Sequence, residues 1–380
     1  MWKWFYPLIV FISYLLFANE VRAQSDSSLQ GYGIELNSLA GRIIKHTYKF
    51  TAPIPPLSTA FDLNLVRQTY GKKDWQQRRN YPVIGVGITY TDYGNNKVFG
   101  NCVGVYPNLQ IPLLRRNSFE LTLRIGDGLA YVTRKYRASS SPIDTLNNAI
   151  GSNVNDFAIF MLDFRYHINR HWQTQFGASF THISDAAYHQ PNLGVNMAGV
   201  HLGIEYFPIS YNPKRIVKEL PKLKNRWLTE IRAGIAYNEA NAPGNPELPI
   251  YVVAASVSKR WIGKNKFFTG VDYVYHESTY AFLKYCGFYK GHEVANAWDG
   301  TVFAGNEFLL GPVGLVTQLS YYYRETYLNF DHNPLAEKIG IKYYLVNREK
   351  GFAKEVFLSA LLNSHALVAE YAEFGTGVSF

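Results

Sequence analysis

From about residue 30 to its last residue the chain alternates. Segments of roughly ten residues place apolar side chains at every second position and polar ones between, with turn signals separating the segments. Asn155–Ile168 sets Ala158, Phe160, Leu162, Phe164, Tyr166 and Ile168 against Asp163, Arg165 and His167. Trp227–Tyr237 sets Trp227, Ile231, Ala233, Ile235 and Tyr237 against Glu230 and Arg232. Val313–Tyr323 opposes Val313, Leu315, Leu319, Tyr321 and Tyr323 to Gln318 and Ser320, and Leu335–Leu345 opposes Leu335, Ile339, Ile341, Tyr343 and Leu345 to Lys338 and Lys342. A period of two is the period of a strand, so the chain reads as all-β. A water-soluble sandwich also buries one face and wets the other. The alternation alone therefore leaves two architectures open.

The two ends of the chain separate them. Lys3 precedes an apolar run, Trp4–Phe17, and Val21-Arg22-Ala23 forms an export cleavage site with Gln24 as the first mature residue. The run is short for a retained spanning helix, which needs about 20 apolar residues. At the other end, Phe380 stands in phase with Val378 and Phe374, and this resembles the C-terminal recognition signal of bacterial outer-membrane proteins. No later stretch is apolar enough for a spanning helix, yet 47% of residues are hydrophobic and 16% aromatic. That profile suits oily strands with aromatic girdles. We therefore expect residues 1–23 to be a cleaved signal peptide and residues 24–380 an antiparallel transmembrane β-barrel of the bacterial outer membrane, with about 12–16 strands. Phe380 would present it to the outer-membrane assembly machinery. Longer connections are expected near 71–80, 138–154, 209–225 and 284–296. The stretch 209–225 could separate two sets of strands, but the expectation is one closed sheet that pairs them all.

Without Lys3, Glu20 and Arg22 the chain has 36 basic and 28 acidic residues, a net +8. Its basic clusters fall in expected loops: Lys72-Lys73, Arg78-Arg79, Arg115-Arg116 and Lys214 to Arg226. Export argues against nucleic acid as a partner. Anionic lipid head groups fit better, and simple solvation of loops fits as well. Cys102 and Cys286 are the only cysteines, so there is no disulfide framework, and the sequence accommodates both a single bridge and two free thiols.

One segment carries chemistry. Trp172–Ser184 reads as a strand with Trp172, Thr174, Phe176, Ala178, Phe180, His182 and Ser184 on one face and Gln173, Gln175, Ser179 and Thr181 on the other. His182 and Ser184 thus extend the oily stripe. In a barrel they face lipid, which points to a lipid as substrate. Residues i and i+2 of a strand lie roughly 6.5–7 Å apart at Cα, a gap that His and Ser side chains close to a hydrogen bond. His can then take the Ser proton and return it to a leaving alkoxide. Asn196 lies on the following strand on the oily face with Val200, Leu202, Ile204 and Tyr206, so the three side chains can meet. His-x-Ser alone is uninformative. The oily placement and the Pro191-Asn192-Leu193-Gly194 that follows single this one out.

Phe180-Thr181-His182-Ile183-Ser184-Asp185 with Pro191 to Asn196 resembles the lipid A 3-O-deacylase (PagL-type) family of outer-membrane barrels, many of whose relatives are termed acyloxyacyl hydrolase-like. The close likeness covers about residues 172–206. It implies an esterase that removes an ester-linked acyl chain from lipid A, with lipopolysaccharide as substrate and no cofactor or metal. Position by position, Ser184 matches the nucleophile, His182 the base, Asn192 an oxyanion-stabilising position and Gly194 a turn glycine. Two positions depart: Asp185 stands where the family has an Asn near the oxyanion, and Asn196 where it has the acid that orients His. An Asn can hold an imidazole through its carbonyl oxygen. An Asp beside an oxyanion opposes it unless protonated or turned away. An exchange of roles, with Asp185 approaching His182 after a bend, is one reading, and a catalytically degenerate relative is another.

Other candidates carry less. His276-Glu277-Ser278 places His276 and Ser278 on a polar face with Asp272, as lumen lining. His292-Glu293-Val294-Ala295-Asn296 stops one residue short of a zinc-protease motif. Nothing ties His365 or Glu370 to chemistry. Two function classes remain: a lipid-modifying esterase, and a non-enzymatic barrel that is a narrow channel or a structural protein. A phospholipid in place of lipid A is a weaker variant of the first. The oligomeric state is not legible.

Overall fold

A computed structural model describes residues 29–138, 142–209, 215–221, 226–239, 243–261, 263–326, 333–365 and 368–380. The expected signal peptide lies outside them. Among the described residues sixteen antiparallel strands follow in chain order. The first eight are β1 (Tyr32–Ile44), β2 (Ser58–Gln68), β3 (Val83–Asp92), β4 (Asn101–Arg115), β5 (Phe119–Val132), β6 (Val154–His167), β7 (Trp172–Ser184) and β8 (Val195–Tyr206). The second eight are β9 (Trp227–Glu239), β10 (Glu247–Trp261), β11 (Asn265–His276), β12 (Trp298–Leu310), β13 (Val313–Arg324), β14 (Leu335–Asn347), β15 (Glu355–His365) and β16 (Val368–Ser379). Within each set of eight, every strand pairs with its chain neighbour. The all-β antiparallel barrel class and the expected range of strand number both hold.

The expectation of one sheet pairing every strand does not hold. β1 pairs with β8, and β9 with β16, so the strands close as two barrels of eight. The physical demand is that no edge be left open to hydrocarbon, and two closures satisfy it as fully as one. Chain 207–226, within which the sequence hinted at a division, joins them. Phe380 completes the second closure, with its N–H donating to Thr229 at 2.8 Å.

The alternation sorts outward from inward. Val200, Leu202, Phe176, Phe61, Ile339 and Leu319 stand on the outer walls. Inside the first barrel, Arg124 meets Asp62 at 3.2 Å and contacts Glu35, and Arg165 meets Asp163 at 2.9 Å. Inside the second, Lys266 meets Glu355 at 2.8 Å, Lys338 meets Asp272 at 2.9 Å and Lys342 meets Glu230 at 2.6 Å. Towards one end of the first barrel the filling becomes apolar, with Phe50, Phe99, Tyr106, Phe157 and Ile183 in one cluster. His276 lines the second lumen, 3.2 Å from Asp299, as expected. Ser278 does not, because the strand ends at His276 and Glu277–Cys286 is a helix. Cys102 is buried, Cys286 is exposed, and both are free.

Connections after β1, β3, β5 and β7 lie at one end of the first barrel, and those after β2, β4 and β6 at the other. The second end holds the short turns 116–118 and 168–171, together with the longer connection 69–82 that carries the helix Asp74–Arg78. In outer-membrane barrels short turns face the periplasm and long loops face outward, so the end of β7 lies at the outer-leaflet side. Among the described residues no helix is long and apolar enough to cross a membrane.

The paired lumen charges make a prediction. Arg124→Met leaves Asp62 without its cation and Glu35 and Asp163 with Arg165 as their remaining guanidinium, and breaking such a buried network costs about 3–5 kcal/mol. Thermal unfolding in detergent should show a clear drop in midpoint; an unchanged midpoint would mean these carboxyls are neutral or hydrated.

Candidate active site

On β7 the odd positions Gln173, Gln175, Ser179, Thr181 and Ile183 are buried in the lumen, while Trp172, Phe176 and Ala178 are exposed outside. His182 and Ser184 share the outward phase. β8 repeats it, with Asn196 in phase with exposed Val200, Leu202 and Ile204. The register sets His182 directly opposite Asn196. All three side chains meet on the outer wall. His182 Nε2 lies 3.1 Å from Ser184 Oγ, and its Nδ1 lies 2.6 Å from Asn196 Oδ1. Both ring nitrogens are therefore engaged.

The connection between β7 and β8 shapes what surrounds them. The strand ends at Ser184, and Ala186 and Ala187 take left-handed φ values of 57° and 59°, turning the chain back over the hydroxyl. Ser184 is only 2% exposed. Asn192 Oδ1 accepts the Asp185 N–H at 3.1 Å. Its own amide nitrogen is buried without a partner. Gly194 has φ +72°, and a Cβ there would lie 2.8 Å from His182 Cε1. Glycine is required both for the turn and for the ring.

Asp185 follows the bend but turns away from His182. Its Oδ2 accepts the His189 N–H at 3.3 Å, and it also bonds the Ser152 side chain. Burial pushes its carboxyl up to about 7. With both nitrogens of His182 engaged elsewhere, the structure gives no support to an exchange of roles with Asn196.

Three features escaped sequence reasoning. His46 Nδ1 lies 3.0 Å from Asn196 Nδ2. Its place follows from barrel closure: Ile44 of β1 sits opposite Asn196 of β8, so the loop leaving β1 starts beside the site. Asp156 of β6 stands opposite Ser184 on the outer wall, hydrogen-bonded to Asp127. Asp156 is in phase with Ala158 and Phe160, and an acid on an oily face was the missed signal. Finally, the second barrel braces the loop. Tyr188 donates to Glu247 at 2.5 Å, the Gln190 N–H donates to the Glu239 carboxylate, and the Glu239 N–H donates to Ala187 O at 3.3 Å. Among the described residues no group of three or more His, Cys, Asp or Glu is arranged to hold a metal ion.

Fold and surface together define an outer-membrane β-barrel protein. Two family models match it: "Lipid A 3-O-deacylase (PagL)" over residues 59–205, and "Acyloxyacyl hydrolase, C-terminal domain" over residues 227–380. The likeness to the PagL lipid A 3-O-deacylase family thus extends from 172–206 over most of the first barrel, and the second barrel matches a family model of its own. Among solved structures, the outer membrane enzyme PagL is similar at 15% identity, covering 44% of this chain and 97% of that one, with a TM-score of 0.31. Neisserial surface protein A is similar at 9% identity, covering 47% and 97%, with a TM-score of 0.31. A Rh. blastica porin mutant aligns at 10% identity over 92% and 99%, with a TM-score of 0.21. No curated protein matches.

Two outcomes follow from the loop. Gly194→Ala should lower hydrolysis by about ten- to a hundredfold through displacement of His182, with the barrel still folded by gel mobility; full activity would mean that the ring has room. Asp185 gives a pH signature. Below about 4 its carboxyl is protonated in both folded and unfolded chains. As pH rises towards the folded value of about 7, only the unfolded chain ionises, so stability falls across that window and then levels. Asp185→Asn should flatten this slope in thermal melts and keep hydrolysis; lost hydrolysis would restore a catalytic role for the carboxyl.

Proposed function

We propose that the protein removes an ester-linked acyl chain from lipid A, with Ser184 as nucleophile on the lipid-facing wall. The observation that carries this is the Ser184–His182–Asn196 chain of hydrogen bonds on an outer wall where β7 and β8 also carry Phe176, Ala178, Val200, Leu202 and Ile204. An unsatisfied polar group in hydrocarbon costs several kcal/mol, so a membrane wall keeps such a group only with partners and a use. The site lies at the outer-leaflet end, the leaflet that holds lipid A.

The chemistry is an acyl transfer in two halves. Ser184 Oγ attacks the ester carbonyl carbon as its proton passes to His182 Nε2. His182 then donates that proton to the departing sugar alkoxide, which leaves an acyl-Ser184 ester. Water, giving a proton to His182 Nε2, then attacks the acyl carbon; the bond to Ser184 Oγ breaks, His182 returns the proton to Oγ, and the fatty acid leaves with the enzyme restored. Asn196 accepts from Nδ1–H and keeps Nε2 open for the serine proton. The buried, unpartnered amide nitrogen of Asn192 supplies a donor to the oxyanion. Asp185, protonated below about pH 7 and turned towards Ser152 and His189, does not place a charge against it. The loop over Ser184 must yield by a side-chain width to admit a carbonyl. The filled lumens speak against a channel, since Arg124, Lys266 and their partners are buried there.

Purified protein incubated with lipopolysaccharide should yield lipid A lighter by one acyl chain in mass spectra. Ser184→Ala should slow this by about a thousandfold or more. Unchanged lipid A with the wild-type protein would overturn the proposal and favour the degenerate relative that Asn196 suggests.

A further inference from the structure

We propose that His46 is the positioning residue that lets Asn196 stand in for a carboxylate. The inference deepens the proposed function and rests on the Ser–His reading. The hydrogen bonds run in one direction only. Asn196 Nδ2 can only donate, so His46 Nδ1, 3.0 Å away, must accept. The ring proton of His46 then sits on Nε2, and the imidazole donates to the Leu193 carbonyl. With its NH₂ committed to His46, the Asn196 amide turns its oxygen, and not its nitrogen, to His182 Nδ1 at 2.6 Å. That oxygen can only accept, so the His182 proton sits on Nδ1, and Nε2 presents a lone pair to Ser184 Oγ at 3.1 Å. The order from Leu193 carbonyl to Ser184 hydroxyl is fixed link by link.

A carboxylate has two equivalent oxygens and needs no such guide. An amide has one right way round and one wrong way. If the Asn196 amide flips, its NH₂ faces Nδ1, the His182 proton moves to Nε2, and no base remains for Ser184. Burial holds His46 towards its neutral form, the form with an accepting Nδ1. Phe50 meets its ring edge-on at a centroid distance of 6.4 Å. His46 touches neither Ser184 nor the reacting carbonyl and acts only through Asn196.

The test is a cycle of variants in detergent, each confirmed as a folded barrel by gel mobility. His46→Ala should lower kcat for deacylation by about ten- to a hundredfold with little change in KM. His46→Gln, whose side-chain oxygen can still accept from Asn196, should recover most of it. In an Asn196→Asp background His46→Ala should cost less than about threefold, since a carboxylate has no wrong face. Nitrogen-15 spectra of His182 should show the Nδ1–H tautomer in the wild type and Nε2–H in His46→Ala. Equal losses in the wild-type and Asn196→Asp backgrounds, or an unmoved tautomer, would overturn the proposal. Wild-type protein that leaves lipid A intact would instead defeat the functional reading, and the tautomer spectra would still decide the role of His46.

Discussion

A sheet surrounded by hydrocarbon must leave no backbone hydrogen bond open and must turn oily side chains outward. The rest of the molecule follows from that constraint. It explains why the strands close on themselves in each half of the chain, β1 to β8 and β9 to β16. It explains why acids and bases that recur along the strands gather in the lumens as paired networks. It also makes the outer wall of the first barrel informative, because polar side chains there interrupt a surface that otherwise carries Phe176, Val200, Leu202 and Ile204.

The interruption is organised. Each polar atom along the line from Ser184 to Leu193 has a partner, so the group can lie at the lipid boundary without orphaned donors or acceptors. The loop that covers the hydroxyl is held from three sides. Gly194 ties it to Ala149, Asn192 ties it to the start of the turn, and the second barrel holds its tip through Glu239 and Glu247. The second barrel thus contributes to the geometry of the first.

Much of this was legible in the chain because a strand has a strict period of two. The outward phase of His182, Ser184 and Asn196 and the inward phase of Arg165, Glu230, Arg232, Lys338 and Lys342 all follow from counting alternate residues. Where the sheet closes was not legible. Whether β8 pairs with β1 or with β9 depends on partners far apart in sequence, and both leave every edge satisfied. His46 was hidden for the same reason. It lies in a loop with no periodicity, and only the β1–β8 closure carries it to Asn196. The helix Glu277–Cys286 was missed because the alternation up to His276 continues in sequence through Ser278, whereas the chain leaves the barrel there. Asp156 was visible as an acid in an oily phase, but its relevance needed the register that sets it opposite Ser184.

The central claim is that Ser184 is an activated nucleophile reached from the bilayer. A long-chain alkyl fluorophosphonate, which partitions into lipid and traps such serines, tests it in outer-membrane vesicles by peptide mass. The account predicts an adduct on Ser184 that disappears in His182→Ala and that a short, water-soluble analogue forms far more slowly. No adduct on Ser184, or equal labelling with and without His182, would contradict it.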